Sequence, residues 1–223
     1  MIKKATKEWL KRKKIVVVKL FSESVAEGTF NSWEEWVDDC DYDFILYSTG
    51  QEQGDAGIYL ENQAPNYPLA SIKVEEDTAK QDFRIILEEA EAIIGHNIMK
   101  VEIPILEKAF DLELQEKAFD SMKVGKEATA KTYGDMGQRL TLEEIAKNNG
   151  GNQFYYAQHL HSAIIRLQEW RRGGHRVVLR SIARDISMIA NAAHYIWAKQ
   201  ELTFQHKETG KRWTETVSLT LGR

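Results

Sequence analysis

Cysteine is nearly absent: Cys40 stands alone among 223 residues. That excludes a disulfide framework and a cysteine-built metal site, and it agrees with a reducing cytosol. Long apolar runs are missing as well, for no stretch approaches the length that spans a bilayer. The lysine-rich start lacks the cleavage pattern of a signal peptide. The chain therefore reads as cytoplasmic, with no membrane partner. A positive excess is also missing, since 30 Lys and Arg face 34 Asp and Glu for a formal net charge of -4. Coating of nucleic acid by bulk charge is thereby disfavoured, although local patches remain open because electrostatic footprints are local. Repeats, low-complexity segments and Pro/Gly/Ser-rich linkers are not seen. Residues 15–223 read as one domain, long enough to bury a substantial core, behind a basic arm at 1–14.

In that arm Lys3, Lys4, Lys7, Lys11, Arg12, Lys13 and Lys14 precede the first apolar run. The pattern fits a solvated, partly frayed terminus or a nucleic-acid arm. Ile15–Phe21 (IVVVKLF) is nearly continuous in apolar residues, as expected of a central strand covered on both faces. Phe44–Ser48 and Gly57–Leu60 read as two more strands. Asp77 to Ala92 reads as helical, with Phe83, Ile86, Leu87 and Ala90 on one stripe. Thr141 and Glu144 form a capping box before the short helix LEEIAKN, which stops at Asn149-Gly150. A helix from about Asn152 to Arg171 follows, with Tyr156, Leu160, Ile164, Leu167 and Trp170 at helical spacing, and Gly173-Gly174 ends it. Another runs from about Arg176 to Lys199. A hairpin closes the chain, from Leu202–Gln205 through KETGK into Trp213–Leu221.

The most informative stretch is EAIIGHNIMKVEIPILEKAF, residues 91–110. Ile93 and Ile94 end a short buried strand and Gly95 breaks it. His96 and Asn97 occupy the turn, and Pro104 suits the first turn of a helix from about Pro104 to Phe110. Polar groups at the carboxyl end of a strand mark the crevice where open α/β sheets bind ligands. Glu102 puts a carboxylate beside that crevice. Asp185, in SIARDISMIA, borders an apolar helix face. Two readings stand there: a boundary acid paired with Arg184 or Arg180, or a metal ligand pointing back to the sheet.

The order of these segments resembles the DEDD-type 3'-5' exonucleases of the ribonuclease H-like fold, especially exonuclease domains found near helicases. KIVVVKLFSESVAEGTFNSW stands where that family opens with a strand bearing Asp-x-Glu-Thr. AIIGHNIMKVEIPIL is similar to its second motif, RLTLEEIAKNNGG to its Leu-Ser-Leu-x-x-hydrophobic-Ala segment, and LQEWRRGGHRVVLRSIARDI to its last motif. The resemblance implies an α/β, ribonuclease H-like mixed central sheet flanked by helices, with a C-terminal β-hairpin. It also implies two-metal phosphodiester hydrolysis, in which carboxylates hold two Mg²⁺ or Mn²⁺ ions.

Position by position, this chain departs from that chemistry. Lys19 stands in place of the first Asp and Phe21 in place of the Glu. Glu102 replaces the second-motif Asp, Ser181 the Tyr that orients water, and Arg180 the alternative His; Asp185 alone is unchanged. The Lys19 ammonium repels a divalent ion, yet it can neutralise Glu102 and Asp185 through an ion pair. The resulting expectation is a nucleic-acid-binding, catalytically inactive relative that needs no cofactor. His96, Asn97 and Lys19 are its candidate contacts to single-stranded nucleic acid, and a helicase or polymerase is the partner the family suggests. His96 and Asn97 have a second reading, as residues that merely hold the turn.

Two alternatives stand beside it. One is a metal-dependent exonuclease with an altered site of Glu102, Asp120 and Asp185, in which Glu102 and Asp185 ligate Mg or Mn. Asp120 resembles a family Asp between motifs and reads equally as a surface acid. The other is a structural or partner-binding protein. Phe154, Tyr155, Tyr156 and Trp170 could stack bases or fill the core. His159 and His161, two apart on a helix, cannot easily share one ion.

Overall fold

The computed structural model describes residues 2–21, 44–50, 70–72, 77–133, 137–150, 163–206 and 208–217. Its elements in chain order are α1 (Lys4–Arg12), β1 (Ile15–Phe21), β2 (Phe44–Ser48), β3 (Ala70–Ile72), α2 (Asp77–Glu89), β4 (Ala92–Gly95) and α3 (Glu102–Phe110). Then come β5 (Ala118–Asp120), α4 (Ser121–Tyr133), α5 (Leu142–Asn148), α6 (Ala163–Arg171), α7 (His175–Lys199), β6 (Glu201–Gln205) and β7 (Arg212–Thr216).

Strands β1 to β5 form a mixed sheet of order β3-β2-β1-β4-β5. The opening strand holds its centre: β1 runs antiparallel to β2, with Val17 opposite Ser48, and parallel to β4, with Val17 opposite Ile94. The outer pairs repeat this, β2–β3 antiparallel and β4–β5 parallel. Side chains alternate across a strand, so β1 serves two cores. Val16, Val18 and Leu20 pack with Phe83, Leu87, Ile103 and Leu106 of α2 and α3. Ile15, Val17 and Phe21 pack with Ile182, Ile186 and Ile189 of α7. This double cover is why IVVVKLF is apolar almost without interruption. A smaller third core joins α5, α7 and the β6–β7 hairpin through Ile145, Ile196, Leu202 and Phe204. The architecture is thus α/β, a mixed central sheet flanked by helices with a C-terminal hairpin.

Most local expectations hold, and the differences have physical causes. The Thr141–Glu144 capping box forms, with each backbone amide received by the other residue's side chain. Helix α2 stops at Glu89, short of the expected Ala92, because Ala92 pairs with Ile15 in the sheet. Helix α3 starts at Glu102, two residues before Pro104; a proline fits there because first-turn amides lack intrahelical acceptors. Ile164 was expected on the core stripe but is 59% exposed, whereas Leu167 is buried. The short strand at Ala70–Ile72 had no sequence signal strong enough to mark it. The expected strand at 57–60 lies outside the described residues, as do the first half of the helix expected from residue 152 and the end of the hairpin. No helix among the described residues is long and apolar enough to cross a membrane.

The main correction concerns the start of the chain, which is a docked helix and not a frayed arm. Trp9, Leu10 and Thr6 of α1 are buried. The Trp9 ring stacks on His194 with centroids 5.0 Å apart and lies 5.8 Å from Trp197. Thr6 Oγ1 is hydrogen-bonded to His194 Nδ1 at 3.0 Å, and the Lys3 amide donates to Asn191 Oδ1 at 3.0 Å. Truncating a buried tryptophan costs about 3–5 kcal/mol. Trp9→Ala is therefore expected to lower the unfolding free energy measured by urea denaturation by that much. A change under about 1 kcal/mol would mean that α1 is not docked in solution.

Candidate functional site

The parallel strands β1, β4 and β5 share a carboxyl end, and the polar residues singled out from the sequence meet there. Val17 lies opposite Ile94, so two residues further on Lys19 is level with His96. Gly95 lies opposite Asp120. A Cβ at Gly95 would sit 2.7 Å from the Cβ of buried Ile98, so only glycine lets the chain turn this tightly. Asn97 takes a left-handed conformation, φ 63°, which asparagine tolerates better than most residues.

Asp120 is not a surface acid; it is 7% exposed and holds this turn in place. Its Oδ1 accepts from the amides of Asn97 at 2.8 Å, Met122 at 2.9 Å and Lys123 at 3.4 Å. Its Oδ2 accepts from the Met99 amide at 3.3 Å. The carboxylate therefore caps α4 and clamps the segment after β4 at once. Next to it, Ser121 Oγ donates to the Gly95 carbonyl at 3.1 Å and lies 3.0 Å from His96 Nδ1. Since the serine proton is engaged, His96 Nδ1 donates and Nε2 is left as an acceptor. Burial first, then the charges of Lys19 and Arg139, lower the His96 pKa to about 3. The ring is neutral at physiological pH.

Of the two acids that Lys19 was expected to neutralise, Glu102 forms the ion pair. Lys19 Nζ donates to Glu102 Oε1 at 2.7 Å, with side chains 25% and 2% exposed. Burial alone would lower the Lys19 pKa. Glu102, through charge and hydrogen bond, and then Asp185 more than offset it against the opposing Arg166, so the pKa lies above its ordinary 10.5. Asp185 has a partner the sequence did not suggest. Arg166 Nη2 of α6 reaches Asp185 Oδ2 at 2.7 Å, both side chains largely buried, in place of Arg180 or Arg184. One turn before Asp185, Ser181 Oγ is buried, and among the described residues it has no hydrogen-bond partner; the same holds for Glu102 Oε2. Phe21 fills space, packing on Trp170 at 5.2 Å. Trp170 also lies 4.2 Å from His175 and is half-buried. Phe154, Tyr155, Tyr156, His159 and His161 lie outside the described residues.

Two divalent ions need several free carboxylate oxygens in nearly octahedral array. Here Glu102 and Asp185 each already hold a cation at 2.7 Å, and Asp120 is committed to backbone amides. Among the described residues no three His, Cys, Asp or Glu gather as a metal cluster. The donor set does not fit a two-metal centre. Comparison of the chain with family models, with curated proteins and with solved structures found no match in any of the three.

Removing one partner of a buried pair costs about 3–5 kcal/mol, whereas replacing both by apolar groups is often neutral. Lys19→Met should be destabilised on that scale at pH 7, and the Lys19→Met/Glu102→Met double variant should recover most of the loss. A double variant as unstable as the single one would show that the stranded carboxylate is not the cause. Because the Lys19 pKa is raised, the pair's contribution is complete below 10.5 and is lost as pH rises through the native value. His96 works in the opposite direction. Its native pKa is lowered, so stability is complete above the ordinary 6.5 and falls as pH drops toward about 3. One proton corresponds to about 1.4 kcal/mol per pH unit. Histidine NMR titration should find His96 still neutral at pH 5, and midpoint titration at 6.5 would contradict this.

Proposed function

We propose that this protein is a non-catalytic, nucleic-acid-binding relative of the DEDD exonucleases built on a ribonuclease H-like scaffold. The observation that carries the reading is the Lys19 ammonium, 2.7 Å from Glu102 in the crevice where the resemblance implies a metal. The mixed sheet with the opening strand at its centre supports the scaffold. The pairing of Arg166 with Asp185 supports the loss of two-metal chemistry.

The same groups suit binding. The Glu102 carboxylate keeps Lys19 charged, and a quarter of the Lys19 side chain remains open to a phosphate. Neutral His96 presents Nε2 to a hydroxyl or base amino group, and the charge of Arg139 reaches the same corner. The turn at His96 and Asn97 is rigid because Asp120 and Ser121 hold it, so little ordering would be required on binding.

The test is a thermal melt with and without Mg²⁺ or Mn²⁺, run beside incubation with a 3'-labelled single strand. A ligand of the native state raises stability by mass action. No metal-dependent shift, no nucleotide release and strand binding unaffected by EDTA are expected. Metal-dependent release that Asp185→Ala abolishes would overturn the proposal in favour of an active exonuclease.

A further inference from the structure

Charge is distributed very unevenly along the chain. The first fourteen residues hold seven basic residues and one acidic residue, net +6, and the remaining 209 hold 23 and 33, net -10. The positive end is ordered, since most of it is α1. The buried stripe of Thr6, Trp9 and Leu10 fixes the helix against α7 and β1, with Trp9 on His194 and Trp197. Burial, followed by the charges of Lys3 and Arg12, lowers the His194 pKa, so the docking face is not burdened by a further charge. Opposite that stripe, at spacings of three and four, Lys4, Lys7 and Lys11 form one row. Lys4, Lys11 and the neighbouring Arg12 are exposed, and Lys7 is half-buried. At 1.5 Å per residue the row spans about 10 Å.

Local stability accounts for Lys11 and Arg12, which lie in the last turn of α1 where cations suit the helix dipole, but not for Lys4 and Lys7. The first turn of α1 holds no acidic residue, and lysines there oppose the positive end of the helix dipole at a few tenths of a kcal/mol each. The only acid within the helix is Glu8. A membrane surface is a poor occupant, because interfacial helices insert a free apolar face and that of α1 is already spent on the protein core. What remains is a rigid, purely electrostatic surface, and a linear polyanion is its complement.

We propose that the outer face of α1, through Lys4, Lys7, Lys11 and Arg12, is a phosphate-backbone contact surface for nucleic acid, separate from the crevice at Lys19 and His96. It rests on the reading of the protein as a nucleic-acid binder and adds a second contact region to it. The two regions are distinct in the fold. The α1 contacts on α7, Asn191 and His194, lie two turns or so beyond Asp185, and α1 enters β1 at the end opposite the crevice. The surface reads charge and not sequence, since nothing in it offers the paired donors and acceptors that distinguish bases.

The test compares the full chain with a Lys4→Gln/Lys7→Gln/Lys11→Gln variant, measuring anisotropy of a labelled 20-mer oligonucleotide from 50 to 300 mM KCl. Each lost phosphate contact flattens the log K against log salt slope by about 0.7–0.9. The expected result is a slope flatter by about two and binding at least about tenfold weaker at 50 mM, with a nearly unchanged melting temperature, since the first-turn and last-turn lysines act on the helix dipole in opposite senses. Binding with an unchanged slope in the variant would overturn the α1 surface and leave the proposed function standing. Failure of the unaltered protein to bind any oligonucleotide in a salt-dependent way would overturn both. Binding to phosphatidylserine vesicles but not to oligonucleotides, lost in the triple variant, would overturn nucleic acid as the occupant.

Discussion

A carboxylate with almost no exposure to water keeps its charge only beside a compensating cation, and in this fold Glu102 keeps it through Lys19. The pair links the middle strand of the sheet to the first turn of α3. It sits where β1, still paired with β2, runs past the end of its pairing with β4, beside the turn that follows β4. Breaking it would strand a charge between the two cores that β1 serves. Its worth lies less in net stability, which for buried pairs is small or negative against apolar replacements, than in fixing where α3 begins relative to the sheet.

Around this pair the corner is built from groups that satisfy one another. Asp120 answers four backbone amides, and Ser121 passes one hydrogen bond to Gly95 while receiving another from His96. The second acidic residue, Asp185, is answered from a different helix by Arg166. Among the described residues, Glu102, Asp120 and Asp185 are therefore each already engaged. The two exceptions, Glu102 Oε2 and Ser181 Oγ, are a lone acceptor and a hydroxyl, both able to meet a hydrogen-bond donor from outside the described residues.

The sheet and the Lys19–Glu102 pair were legible in the sequence for definite reasons. The apolar septet around Lys19 points to a central strand, and the resemblance, which sets Lys19 and Glu102 at two of the family's metal-binding positions, brings the two residues together. Arg166 was not legible. Pairing between α6 and α7 depends on how two helices cross, and the arginines adjacent in sequence to Asp185 were the nearer candidates. Asp120 read equally as a surface acid because its clamp on Asn97 joins residues 23 positions apart, although its cap on α4 is local. The α1 helix was misread because its charges obscured a short signal. Thr6, Trp9 and Leu10 recur at helical spacing, yet a lone tryptophan amid seven basic residues looks like an exposed tail.

The way α1 is held has a consequence for synthesis. Thr6 finds its partner His194 only 188 residues later in the chain. During translation α1 emerges well ahead of its docking site on α7, with 188 residues between Thr6 and His194. Until then a basic segment with a bare tryptophan has no native surface to cover it. Such long-range contacts are slow to form because a large loop must close before they reward the chain. Helix α1 thus settles only after α7 has been made, and its docking adds to the layer on that face of the sheet.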